Sequence, residues 1–163
     1  MTVDEVRRLF SYTEWANERI LETVRGLTEE QFTRTIESSY PTIRDTMAHI
    51  VVAEWLWLRR WKGESPQGFP GWLHEPSLAT IEAKLREVEA ERRAFFDTLT
   101  DADLQREVSY RSTSGDPFTR SYQDMFAHVA NHSTYHRGQL VTMLRQAGAK
   151  PQSTDMTVFL NRQ

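Results

Sequence analysis

One pattern recurs along this chain and fixes what it can fold into: Thr2-x-x-Glu5, Thr28-x-x-Gln31, Thr42-x-x-Asp45, Thr100-x-x-Asp103 and Ser121-x-x-Asp124. In each, a hydroxyl can accept from the backbone N–H three residues on, and the side chain there can reach back to the first residue's own N–H. This is how a helix starts. The first, third and fifth open long stretches of apolar periodicity, which predict helices over about Val3–Arg25, from Thr42 to about Lys62, and from Ser121 to about Ala147. A further long helix is predicted over about Leu78–Leu99, while the Thr28 and Thr100 pairs cap short turns. Gly26, Gly63 and Gly148 stand where three of the long helices should stop.

The segments between are short of helix formers. Residues 63–76 hold three Gly and three Pro and read as a loop. Val108–Arg111 and Phe118–Arg120 flank Ser-Thr-Ser-Gly-Asp-Pro, which predicts a small hairpin or an irregular crossover. After Pro151 one more helical turn is expected around Asp155–Leu160. Four helices of about 20–27 residues, with one long crossing before the last, describe an all-α four-helix bundle spanning residues 1–163 as one domain.

Composition narrows the function. The chain is 39% hydrophobic and 26% charged, with a net charge of -3, so it should bury a core and has no general attraction for nucleic acid or an anionic membrane. Its Arg-Arg pairs at 7–8, 59–60 and 92–93 fall on different helices rather than forming one basic stripe. Cysteine is absent, which excludes a disulfide framework and a thiol nucleophile of the chain's own. The near-apolar run Met47–Leu58 is too short to span a bilayer and contains His49 and Glu54. No basic-then-apolar leader opens the chain, so a cytoplasmic location is expected.

The strongest chemical signal lies in the last long helix, where His128, His132 and His136 recur every fourth residue. At about 100° per residue they share a side with Met125, Val129, Leu140 and Met143; Gln139 falls in that stripe and Arg137 points away from it. Side chains four apart stand one above the other, about 5–6 Å between Cβ atoms, so two imidazoles can converge on one ion. A lone histidine on an apolar face is usually a satisfied core residue, but three in register cannot all be served by carbonyls already used in the helix. A metal would serve them, given a ligand from another helix.

His49 is the candidate, on the side of its helix with Val52, Ala53 and Leu56. This helix is apolar almost all round, which suggests burial on more than one side and a homodimer built on it. Glu54 lies on the far side from His49 and is expected at an interface or paired with an arginine. Asp45, one turn before His49, either orients that imidazole or only occupies the third position of the capped helix. His74 reads as a loop residue, and Trp57, Trp61 and Trp72 either line a pocket mouth or pack.

With His49 on one helix and His132-x-x-x-His136-Arg137-Gly138-Gln139 on another, the chain resembles the DinB/YfiT-like superfamily of four-helix-bundle metalloproteins. The resemblance runs essentially end to end. It includes Tyr12-Thr13-Glu14-Trp15-Ala16-Asn17, the stretch from Thr42 to His49, and Leu144-Arg145-Gln146-Ala147-Gly148. It implies His49, His132 and His136 as metal ligands, leaving His128 as a core or supporting residue. It also implies an up-down-down-up order of helices and frequent homodimers. Some members related to bacillithiol and mycothiol enzymes activate a low-molecular-weight thiol for transfer or isomerisation.

Three neutral histidines would leave an ion its full charge and an open position, which is the catalytic rather than the structural arrangement. The expected ion is divalent, zinc or nickel first, since imidazole suits several metals. The expected activity is that of a metal-dependent enzyme on a small-molecule substrate. Thiol-dependent S-transfer leads, metal-dependent hydrolysis follows, and Gln139 lines the site. The competing expectation is a non-enzymatic dimeric bundle with a structural metal or none.

Overall fold

The computed structural model describes residues 1–162 and places a helix at each capped start. Helix α1 spans Val3–Val24 behind Thr2, whose Oγ1 accepts from the Glu5 N–H at 3.2 Å while Glu5 accepts from the Thr2 N–H at 2.7 Å. Helix α2 is the short turn Glu29–Thr33, and α3 is Ile43–Trp61, opened by Thr42. Helix α4, Leu78–Phe96, starts from Ser77, a cap without an acidic partner and therefore outside the repeated pattern. It is shorter than the 78–99 expected, because the chain turns at Asp97–Leu99 to reach the cap at Thr100.

The crossover before the last helix is a hairpin. Strand β1 (Glu107–Arg111) pairs antiparallel with β2 (Pro117–Ser121), Tyr110 opposite Phe118. Gly115 sits in the turn at φ +93, a conformation that other residues rarely adopt. Helix α5 follows over Tyr122–Gln146, and α6, Met156–Leu160, lies against α1.

Packing fixes the order of the bundle. One buried cluster joins the C-terminal ends of α1 (Ile20, Leu21, Val24) and α5 (Leu140, Met143, Leu144) to the N-terminal ends of α3 (Ile43, Met47) and α4 (Ile81, Leu85). A second, aromatic cluster joins the opposite ends: Val6 and Phe10, Leu58 and Trp61, Val88 and Phe96, Met125 and Phe126. So α1 and α5 run together in one direction, and α3 and α4 in the other. The order is up-down-down-up, and residues 62–77 must run back along the bundle to start α4 beside the start of α3.

Between the clusters lies a polar belt. Glu54 bonds to Arg92 and accepts from Ser133 Oγ at 2.9 Å, and Arg92 also reaches Glu14 at 3.0 Å. The arginine predicted for Glu54 is thus Arg92, inside the bundle. Arg137, which the wheel turned away from the core stripe, is 1% exposed; it donates to Asn17 at 3.2 Å and Thr134 at 2.9 Å. The true core stripe of α5 is therefore wider than the apolar residues alone indicate. It runs through Phe126, Ala130, Ser133 and Arg137, and this rotates the histidines toward its rim.

No residue of α3 is exposed, since α4, α5, α2 and the 63–76 loop surround it. A single copy covers most of the apolar surround from which a homodimer on this helix was expected and leaves Ala53, Trp55 and Trp57 half-buried. Thr42 holds the start of α3 twice over: its Oγ1 accepts from the Asp45 N–H at 2.9 Å and its carbonyl from Thr46 Oγ1 at 2.9 Å. Substituting Thr42→Ala is expected to cost about 1 kcal/mol, read as a lower denaturant midpoint at unchanged slope.

Candidate metal centre

Antiparallel packing of α3 on α5 brings His49 against His132, with their Nε2 atoms 3.1 Å apart. His136, one turn along α5, closes the group: its ring centre is 4.5 Å from that of His49 and 4.4 Å from that of His132. One nitrogen from each of the three lies within 4.8 Å of the others. Two donors on a tetrahedral ion held at ~2.0–2.1 Å stand roughly 3.3 Å apart, so the group is close to the size an ion requires.

The rings are held from behind. Gln139 Oε1 lies 2.7 Å from His136 Nδ1, and the Gln139 amide nitrogen donates to Ser39 Oγ at 2.7 Å. With the amide nitrogen committed to Ser39, the oxygen faces His136, Nδ1 carries the proton, and Nε2 keeps its lone pair. Gln139, expected to line the site, meets His136 from behind. Tyr40 stacks on His49, centres 4.2 Å apart and planes 25° apart, and meets the edge of His136 at 5.8 Å. Ser39 and Tyr40 escaped the sequence reading because they lie in an irregular segment with no periodicity to place them.

His128 does not join the group. It is exposed, against Trp57 at 4.8 Å and His132 at 5.8 Å, so of the two roles implied by the resemblance, core or supporting, the core one does not hold. The apolar stripe misplaced it because the buried face of α5 is centred nearer Ser133 and Arg137. His74 is exposed in the loop. Of the tryptophans, Trp61 is buried among Phe10, Phe96 and Phe126, and Trp72 packs on the cluster at the start of α3.

A cleft of about 250 Å³ opens beside His49, walled by Tyr40, Ala48, Val52, Phe69 and Leu73, with Asp45 on its lining. The Asp45 carboxylate meets Arg44 Nε at 3.4 Å, and its N–H is the one Thr42 caps. It therefore fills the third helical position and also borders the cleft.

Burial, then the positive charge that neighbouring imidazoles would carry, pushes the pKa values of His49 and His132 down to about 4 from the ordinary 6.5. Both rings are thus neutral over the range in which free histidine begins to protonate, as metal ligation requires. In the metal-free protein the unfolded chain binds these protons more tightly than the folded one. The stability they contribute is whole above about 6.5 and falls away as pH drops toward about 4. Calorimetry of chelator-treated protein should show Tm declining across that window, with a shallower decline in a His49→Leu/His132→Leu variant. Matching profiles would show that other groups govern it.

A model of the DinB family matches residues 1–163 of the chain. Protein DinB of Bacillus subtilis (strain 168) is 26% identical over 159 residues, covering 94% of this chain and 92% of that protein. Among solved structures, a DinB-like protein from Bacillus cereus superposes with a TM-score of 0.71 at 22% identity, over 93% of this chain and 97% of that one. YfiT from Bacillus subtilis, described as a probable metal-dependent hydrolase with an unusual four-helix bundle topology, superposes at 0.70 with 14% identity, over 89% of each chain.

Proposed function

We propose that this chain, which belongs to the DinB family, is a metal-dependent enzyme that hydrolyses a small molecule, with His49, His132 and His136 holding the divalent ion. The observation that carries this reading is the convergence of three ring nitrogens from two helices within 4.8 Å. Neutral nitrogen donors suit zinc or nickel, and with no carboxylate in the group the ion's charge stays uncompensated. Bound there, such an ion would polarise a substrate oxygen and lower the pKa of a coordinated water or thiol.

The remaining parts belong to the chain. The apolar wall of Tyr40, Val52, Phe69 and Leu73 would hold the body of the substrate and keep bulk water from it. Asp45, on that lining, would accept the proton of an attacking water. A carboxylate in the cleft favours hydrolysis, and the description of YfiT as a probable metal-dependent hydrolase agrees with it. Thiol transfer would use the same three histidines; turnover that requires an added low-molecular-weight thiol would move the assignment to it.

Elemental analysis of untagged protein tests the reading. About one equivalent of metal is expected in the wild type, and none in His49→Ala or His132→Ala. Stoichiometric metal retained in both variants, or none in a wild type dialysed against zinc or nickel, would overturn it.

A further inference from the structure

Beyond the three histidines the seam between α3 and α5 stays partly open to solvent, past Ala53 and His128 to Trp57, a run of residues none of which is buried. The rings step along it: His132 to His128 at 5.8 Å, then His128 to Trp57 at 4.8 Å. At its far end stands Arg60.

Arg60 is 6% exposed, yet among the described residues its guanidinium has neither an acidic partner nor a hydrogen-bond acceptor. Every other buried arginine has one: Arg92 binds Glu54 and Glu14, and Arg137 binds Asn17 and Thr134. The guanidinium lies 4.7 Å from the centre of the Trp57 ring and 4.9 Å from that of Tyr110, in the corner those two rings make at 68°. Nε is sealed from solvent, whereas the terminal nitrogens are not. Burial lowers the Arg60 pKa, opposed only by Tyr110. Aromatic stacking offsets part of the cost of burying a cation, but it leaves the N–H groups unmatched. A planar fork clamped by two rings with its donors free is pre-set for an oxyanion, which it can bind through two parallel bonds.

We infer that Arg60 is an anion-binding subsite at the far end of this seam, and that the small-molecule substrate carries a carboxylate or phosphate group about three helical turns from its reacting centre. The inference rests on the metal-dependent reading for its connection to catalysis. The anion subsite itself stands on Arg60 alone. His128, exposed between the two ends, borders the path the substrate would span.

The test is titration calorimetry of the full chain with inorganic phosphate and with acetate, before and after chelator treatment, so that anion bound at the histidines is separated from anion bound at Arg60. Saturable binding that survives chelation and weakens about tenfold in Arg60→Met is expected, with Arg60→Lys weakened severalfold because the ammonium loses the fork. Acetate bound more tightly than phosphate would identify a carboxylate, and the reverse a phosphate. No saturable binding of either by the wild type, or equal affinity in Arg60→Met, overturns the inference. Should Arg60→Met fail to fold, unchanged affinity in Arg60→Lys overturns it equally. Metal content measured on the same samples keeps the two readings apart. Arg60→Met should retain its metal, so metal without Arg60-dependent anion binding defeats only the subsite, and anion binding without metal defeats only the enzyme.

Discussion

Substituting Glu54→Ala is expected to lower folding stability by about 3–5 kcal/mol, the largest single-residue effect in the bundle. Glu54 and Arg92 are each 1% exposed and bound to one another, and Glu54 also accepts from Ser133. Burial works against the charge of Arg92, but Glu54 and Glu14 outweigh it and hold its pKa above the ordinary guanidinium value. Removing Glu54 leaves that guanidinium to Glu14 and the nearby charge of Glu89, strands the Ser133 hydroxyl, and opens a void between the two hydrophobic clusters. The loss comes from what is left behind. Replacing both partners at once, Glu54→Leu with Arg92→Leu, should therefore cost less than the two single changes together, since neither partner is left buried without the other, although Glu14, Glu89 and Ser133 each lose a neighbour. Denaturant unfolding of the two single variants and the double variant gives the coupling directly. If the double variant is as unstable as Glu54→Ala, packing rather than charge is the reason the belt matters.

That belt also marks where the sequence could be read and where it could not. Helix starts are local: Thr2, Thr42 and Ser121 each announce a helix through a neighbour three residues away, and each does cap one. Helical spacing likewise put His128, His132 and His136 on one face, but it left His132 free to pair with either neighbour, and only the family resemblance pointed to His136 with His49. Faces, however, are assigned by assuming that apolar means buried. Arg137, Ser133 and Glu54 break that assumption, because their polar groups are matched across the bundle by residues 38–120 positions distant. The error moved the predicted core stripe of α5 and carried His128 into it. Ser39 and Tyr40 were beyond reach for another reason. They act through an irregular segment whose position is fixed only when Gln139 and His49 are already in place.

The support given by that segment leads to the other large effect. Substituting Gln139→Ala is expected to weaken metal binding by about 10–100-fold while leaving the fold intact. Gln139 touches the three-histidine group only through His136 Nδ1, at 2.7 Å, so on the proposed reading it is a positioning residue. Without it His136 is free to rotate and to carry its proton on either nitrogen, and the tautomer that presents Nε2 to an ion is no longer selected. Gln139→Met keeps the bulk of the side chain without its oxygen acceptor and should weaken binding nearly as much as Gln139→Ala, which a purely steric role would not predict. Ser39→Ala should have a smaller effect in the same direction, since it frees the amide to flip without removing it. Competition against a chelator of known affinity measures all three. His136→Ala sets the lower limit, because the remaining His49 and His132 offer an ion only two nitrogens. Affinity in Gln139→Ala within about twofold of the wild type would mean that Tyr40 and the packing of α5 hold His136 unaided.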